Sequence, residues 1–346
     1  MNLSRRNFLG LGIAAVTSVA TPLAWAAQPR CPVGAIVLQP PTRFTVLDGS
    51  DKSVFMDTGT GRPESGMFGN TRKYANGSPR FHEGIDIAPF PPWNRKRLPA
   101  DVVCAAAAGR VMYMNVYHKN KSLYGNYVVL AHEVPGFGQI YTLYGHLRAL
   151  DKRLRLGMEI AAGTPLGTMG NIPDIPIARS HLHFEIGIIM NDFYPLIDDD
   201  HGVWNGANLY GIDPCDAFAE QAQKGYFDIA RYIRQRPIAF SYLTNKPMPQ
   251  YFAKRYPSLK EAVPEGERYI ITFSSEGIPT SLHAVPQPEP ESPPNRVLFY
   301  NAKEVAKGRP FANSKGLTKR GQTLIDNLFV SPTHLPESKK AQGEVG

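Results

Sequence analysis

The segment His181-Leu182-His183-Phe184-Glu185-Ile186 alternates polar and apolar side chains with a period of two, the pattern of a strand. Both imidazoles and the Glu185 carboxylate then share one face, while Leu182, Phe184 and Ile186 take the core face. The two histidines start about 7 Å apart along such a strand, close enough to serve one small site, although an isolated His-x-His is more often a polar pair on a solvated face. Phe81-His82-Glu83-Gly84-Ile85-Asp86 offers a further imidazole and a carboxylate four positions apart. On a straight strand these would lie about 13 Å apart, too far for one metal ion whose ligands sit about 2 Å from it. The chain must therefore bend, and Gly84 is expected to supply the backbone freedom, while Pro89 argues against a helix running through. A third element, Tyr144-Gly145-His146-Leu147, places a histidine where a strand is expected to run out into a glycine turn. Each signal is weak alone; their succession within one strand-rich segment points to metal chemistry.

The resemblance reaches beyond these residues. Gly109-Arg110-Val111, the run Tyr124 to His132, the run Tyr141 to Leu147, the run Gly157 to Gly163 and Leu166-Gly167 follow in the same order as the recurring strands and turns of another group. Residues 76 to 190 resemble the lysostaphin/LytM-type zinc endopeptidases of bacterial cell walls. That resemblance implies Zn2+ held by His82, Asp86 and His183, with a fourth position open to water or substrate, the arrangement of catalytic zinc. It places His146 and His181 beside that water as catalytic residues. Tyr144 and Asn126 are left between groove support and a core or turn role. The implied activity is hydrolysis of peptide bonds in peptidoglycan stems or cross-links, so the expected substrate is a peptidoglycan peptide. The alternative is a non-catalytic wall-binding regulator of another murein hydrolase, a role expected of members that have lost part of the set, whereas here every position is filled. A purely structural zinc would call for a fourth protein ligand, and His118, His132 and His201 read as strand or loop residues instead.

Two stretches depart from the family pattern. Gly170 to His181 is longer and poorer in glycine than the usual loop, and Phe90 to Ala100 is an insertion carrying Arg95-Lys96-Arg97. The insertion either meets anionic wall polymer or is a solvated loop.

The elements that must position the site are strands. Val102 to Ala105, Arg110 to Val116, Asn126 to Ala131, Gln139 to Tyr144 and His181 to Ile189 are apolar or alternating runs punctuated by glycines, which predicts a mainly β, antiparallel-sheet core of the lysostaphin type. Beyond Asp216, helix-compatible windows at Phe218 to Ile233 and Pro257 to Ala262 alternate with the strand-like Tyr269 to Phe273, predicting a smaller α+β C-terminal addition. The expected divisions are a signal peptide at 1–26, a strand-and-turn segment at 27–75, the zinc peptidase domain at 76–198, a connector at 199–215, the α+β region at 216–330 and a mobile tail at 331–346. Pro286 to Pro294 reads as a low-complexity link.

The chain has 346 residues, 42% of them hydrophobic, and a net charge of +8, enough to bury a core of about two folding units. Ser4-Arg5-Arg6-Asn7-Phe8-Leu9, an apolar stretch and Ala24-Trp25-Ala26 read as a twin-arginine export signal cleaved after Ala26, leaving no stable membrane span and a periplasmic or secreted product. Its removal takes Arg5 and Arg6 and no acid, leaving 36 basic against 30 acidic residues, net +6. A basic exported chain favours anionic wall or lipid partners and makes nucleic acid an unlikely one. Cys31, Cys104 and Cys215 contain no Cys-x-x-Cys pair, which excludes a cysteine zinc site and allows at most one disulfide.

Overall fold

Apolar runs separated by glycine turns fold back on one another as an antiparallel sheet. The computed structural model describes residues 31–73, 77, 79–172, 176–197, 202–260, 268–285 and 295–330. The export segment 1–26, the acidic run 198–200, His201, the link 286–294 and the tail 331–346 lie outside the described residues.

A short hairpin joins β1 (Thr71–Lys73) to β2 (Pro79–Phe81). The main sheet contains β3 (Ile85–Ile87), β4 (Val102–Cys104), β5 (Gly109–Asn115), β6 (Asn126–Val134) and β7 (Gly138–Leu150). It is completed by β8 (Glu159–Ile160), β9 (Pro165–Met169), β10 (Leu182–Ile189) and β11 (Leu209–Ile212). Strands β11, β10, β7, β6, β5 and β8 lie side by side in that order, β3 pairs with β10, and β9 pairs with both β4 and β7. Every named pairing is antiparallel, so the expectation of a mainly antiparallel β core holds.

The C-terminal region adds α1 (Pro214–Lys224), α2 (Ile229–Arg234), β12 (Phe240–Thr244) and α3 (Gln250–Arg255). It continues with β13 (Arg268–Phe273), β14 (Pro279–Val285), β15 (Arg296–Tyr300) and α4 (Lys319–Phe329). A second antiparallel sheet has the order β14, β13, β12, β15. Leu182, Phe184 and Ile186 from β10 belong to the same apolar cluster as Phe218, Phe252, Phe273 and Leu324 from this region. The two sheets thus rest on one continuous core.

Four details differ from the sequence expectations. First, β7 does not end at Tyr144. It continues to Leu150 and turns at His146, whose φ of 60° is a left-handed conformation rare for a residue other than glycine. There the strand leaves its pairing with β10, which runs up to Gly145, and takes up β9 from Leu147. Second, Gly84 is needed for space and not for an unusual dihedral. It is not among the left-handed glycines, but a Cβ on it would collide with the Phe184 carbonyl and lie 2.9 Å from Glu185 Cγ. Third, the helical window at 218–233 is split, because Gly225 at φ 82° closes α1 and Asp228 caps α2. Fourth, the stretch read as a connector contains β11, which extends the main sheet through Ile186↔Ile212. Cys31, Cys104 and Cys215 are all free thiols.

Gly84→Ala should therefore push β3 away from β10 and destabilise the fold by about 1–3 kcal/mol. A thermal melt beside Gly202→Ala, a site with open space around it and no left-handed backbone, measures this; equal melting temperatures would refute the close-approach explanation.

Candidate active site

The register of β10 brings the chemistry together. His183 lies directly opposite Asp86 of β3 on one side and Gly145 of β7 on the other. A pair of opposed residues on neighbouring strands has side chains on the same face about 5 Å apart. A Cβ at Gly145 would stand 3.3 Å from that of His183, so the glycine leaves the imidazole its room. His82 follows β2 and returns over the same spot because the chain bends between it and Asp86. His82 Nε2 then lies 3.1 Å from Asp86 Oδ1 and 3.2 Å from His183 Nδ1, and His183 Nδ1 lies 3.0 Å from Asp86 Oδ1. All three residues are buried.

The outward-facing atom of each is held by the protein. His82 Nδ1 donates to the Met67 carbonyl at 2.9 Å, leaving Nε2 with its lone pair. Asp86 Oδ2 accepts from Thr58 Oγ1 at 2.5 Å and from Arg72 Nη2 at 2.5 Å. His183 Nε2 faces Glu185 Oε1 at 2.8 Å, and Glu185 also accepts from the Tyr124 and Tyr141 hydroxyls, each at 2.8 Å. Two imidazoles and a carboxylate oxygen turned inward, with their far atoms anchored, form a donor set that fits zinc, including the carboxylate behind a ligating histidine.

His181 and His146 stand next to this cluster with ring centroids 4.5 Å apart, and His146 lies 5.8 Å from the His183 ring. His181 Nδ1 donates to the Arg179 carbonyl at 2.6 Å, so Nε2, 3.5 Å from Asp86 Oδ1, carries the lone pair. His146 Nδ1 is buried without a hydrogen-bond partner among the described residues.

Burial lowers the pKa of His82, His146 and His181, and for His146 the neighbouring His181 and His183 add to the effect. Burial also opposes ionisation of Asp86 but is outweighed by His82, His181 and His183, which hold its carboxyl well below the usual range. His183 moves the other way. Burial disfavours its charge, yet hydrogen bonds to Asp86 and Glu185 prevail and push it up to about 9.

All five histidine and aspartate positions singled out in the sequence thus meet in one place. Tyr144 and Asn126 do not join them. The Tyr144 hydroxyl accepts from the Ala106 amide and from Thr142, and Asn126 bridges the Tyr117 amide and the Leu147 carbonyl. His132 is a buried strand residue between Ala108 and Thr142, and Arg95 forms an exposed ion pair with Asp57. The sequence reading missed Thr58 and Arg72, which no periodic pattern marks. It placed Glu185 on the right face without assigning it a partner.

Residues 80–194 match the family model of Peptidase family M23. The resemblance read from residues 76 to 190 therefore holds over this segment. Among solved structures, the chain is similar to a zinc containing peptidase from Vibrio cholerae, at 24% identity over 35% of this chain and 31% of that one, with a TM-score of 0.26. It is similar to Csd3 of Helicobacter pylori at 18% identity, over 55% of this chain and 41% of that one, with a TM-score of 0.29. For the catalytic domain of lysostaphin from Staphylococcus simulans the figures are 21%, 35%, 76% and 0.25. The chain spans less than half the length of the first two. No curated protein matches it.

A metal ion bound at the candidate site would compete with the His183 proton. With a folded pKa of about 9 against 6.5 for a free histidine, the proton stabilises the metal-free fold fully below about pH 6.5. That contribution disappears as pH rises through about 9. A metal ion taking Nδ1 must displace the same proton, so zinc affinity measured by competition with a chelator should rise about tenfold per pH unit between 6.5 and 9. A flat profile would contradict it. Glu185→Gln should weaken zinc binding about 10- to 100-fold in the same assay.

Proposed function

We propose that this chain is an exported zinc metalloendopeptidase that hydrolyses peptide bonds in peptidoglycan stems or cross-links. The reading assigns His82, Asp86 and His183 as zinc ligands and His146 and His181 as the catalytic histidines. The observation that carries it is the convergence of His82 Nε2, Asp86 Oδ1 and His183 Nδ1 within 4.8 Å of one another, beside two further imidazoles. When bound, zinc lowers the pKa of its water from about 15.7 to about 7 and polarises the scissile carbonyl.

The chain's own residues do the rest. His181 and His146 are kept neutral by burial, so each can take a proton and return it to a leaving amine. The Arg179 carbonyl fixes His181 with Nε2 as the basic atom. Arg72 and Thr58 occupy Asp86 Oδ2 and leave Oδ1 as the ligating oxygen. Export through the twin-arginine route and a periplasmic or secreted location belong to the same proposal. No helix among the described residues is long and apolar enough to cross a membrane.

The zinc-loaded protein, incubated with purified wall sacs, should release fragments with new free amines and no new sugar ends. Asp86→Ala should abolish release. His146→Ala should keep its zinc and lose about 10²- to 10⁴-fold in rate. Full cellular function of Asp86→Ala would favour the wall-binding regulator instead.

A further inference from the structure

Next to the histidine cluster is a cavity of about 560 Å³ that the reaction outlined above does not use. Its floor is tied to the site. Tyr124 lines the cavity and donates to Glu185, the carboxylate behind His183, and its ring lies 5.3 Å from that of His183. Glu83, the neighbour of His82 in sequence, lines it as well. The loop at 202–207 forms one wall through Trp204, and the C-terminal region forms another through Arg309 and Arg320.

The charge of the lining is one-sided. Among the described residues, Arg80, Lys121, Arg309 and Arg320 face a single carboxylate, Glu83. That carboxylate is already taken by Arg309 at 2.5 Å, whose guanidinium lies 5.5 Å from the Phe81 ring and 5.7 Å from the Tyr210 ring. Lys121 and Arg320 are exposed and form no ion pair among the described residues. With Arg309 compensated by Glu83, Lys121 and Arg320 leave an excess of two positive charges beside a site read as cutting peptides. A concave wall of one sign concentrates ligands of the other.

We propose that this cavity is a specificity pocket that binds a carboxylate of the peptide stem, and that the C-terminal region exists in part to supply its cations. The proposal rests on the endopeptidase reading for the identity of the peptide, but its test does not depend on cleavage. Metal-free protein is titrated calorimetrically with a synthetic stem peptide bearing free side-chain and terminal carboxylates, and with the same peptide amidated at those groups. The free-carboxylate peptide should bind at least about tenfold more tightly, the value of a hydrogen-bonded charge. The K121E/R320E double variant, altered only at exposed positions and checked for an unchanged melting temperature, should lose that preference. Equal affinity of the wild type for both peptides, no binding of either, or a preference that survives in the variant would overturn the pocket. Hydrolysis by the zinc-loaded protein is scored separately. A retained carboxylate preference with neither peptide cut would remove the endopeptidase reading and leave the pocket standing.

Discussion

One cross-strand register governs this molecule: His183 opposite Asp86 on one side and Gly145 on the other. Side chains on a strand alternate between faces, so a slip of one residue would send His183 and Glu185 into the apolar core and bring Leu182 and Phe184 to the site. The burial of Leu182, Phe184 and Ile186 forbids that slip. The hydrophobic core thus fixes the geometry of the histidine and aspartate cluster, and the polar residues of β10 are placed by their apolar neighbours.

The polar groups are costly to bury, and the structure offsets that cost one atom at a time. Asp86 is fully buried, yet both its oxygens have partners: Thr58 and Arg72 at Oδ2, the histidines at Oδ1. Glu185 receives two tyrosine hydroxyls and an imidazole. Buried charges persist in proteins when they are paired and hydrogen-bonded. The same partners hold each side chain in a single orientation, which a ligand set requires.

Much of this was legible in the sequence because period-two alternation and short motifs are local signals. His181-Leu182-His183, His82 with Asp86, and the strands flanked by glycines all carry their meaning within a few residues. Thr58 and Arg72 reach Asp86 from 28 and 14 positions away in irregular or short elements, where side-chain type gives no hint of a destination. The left-handed backbone of His146 was hidden for a related reason: residue identity argues for a conformation that tertiary pairing with β9 overrides. Gly84 was marked correctly as a necessary glycine, but crowding by Phe184 is a contact across 100 residues and cannot be read from its neighbours. The helix α3 has no side-chain cap to announce it, whereas α4 carries a Thr318 cap and an apolar face of Leu324, Ile325 and Leu328 that the sequence reading passed over, and β11 was lost in a stretch whose glycines and asparagines resemble a loop.

The ion pair between Glu83 and Arg309 joins residues 226 positions apart. Ribosomes deliver a chain from its N-terminal end, so a nascent polypeptide presents Glu83 beside His82 long before its guanidinium partner emerges. The C-terminal region closes that corner of the protein, and the surroundings of His82 reach their final electrostatic state only once Arg309 has been made and folded back onto Glu83.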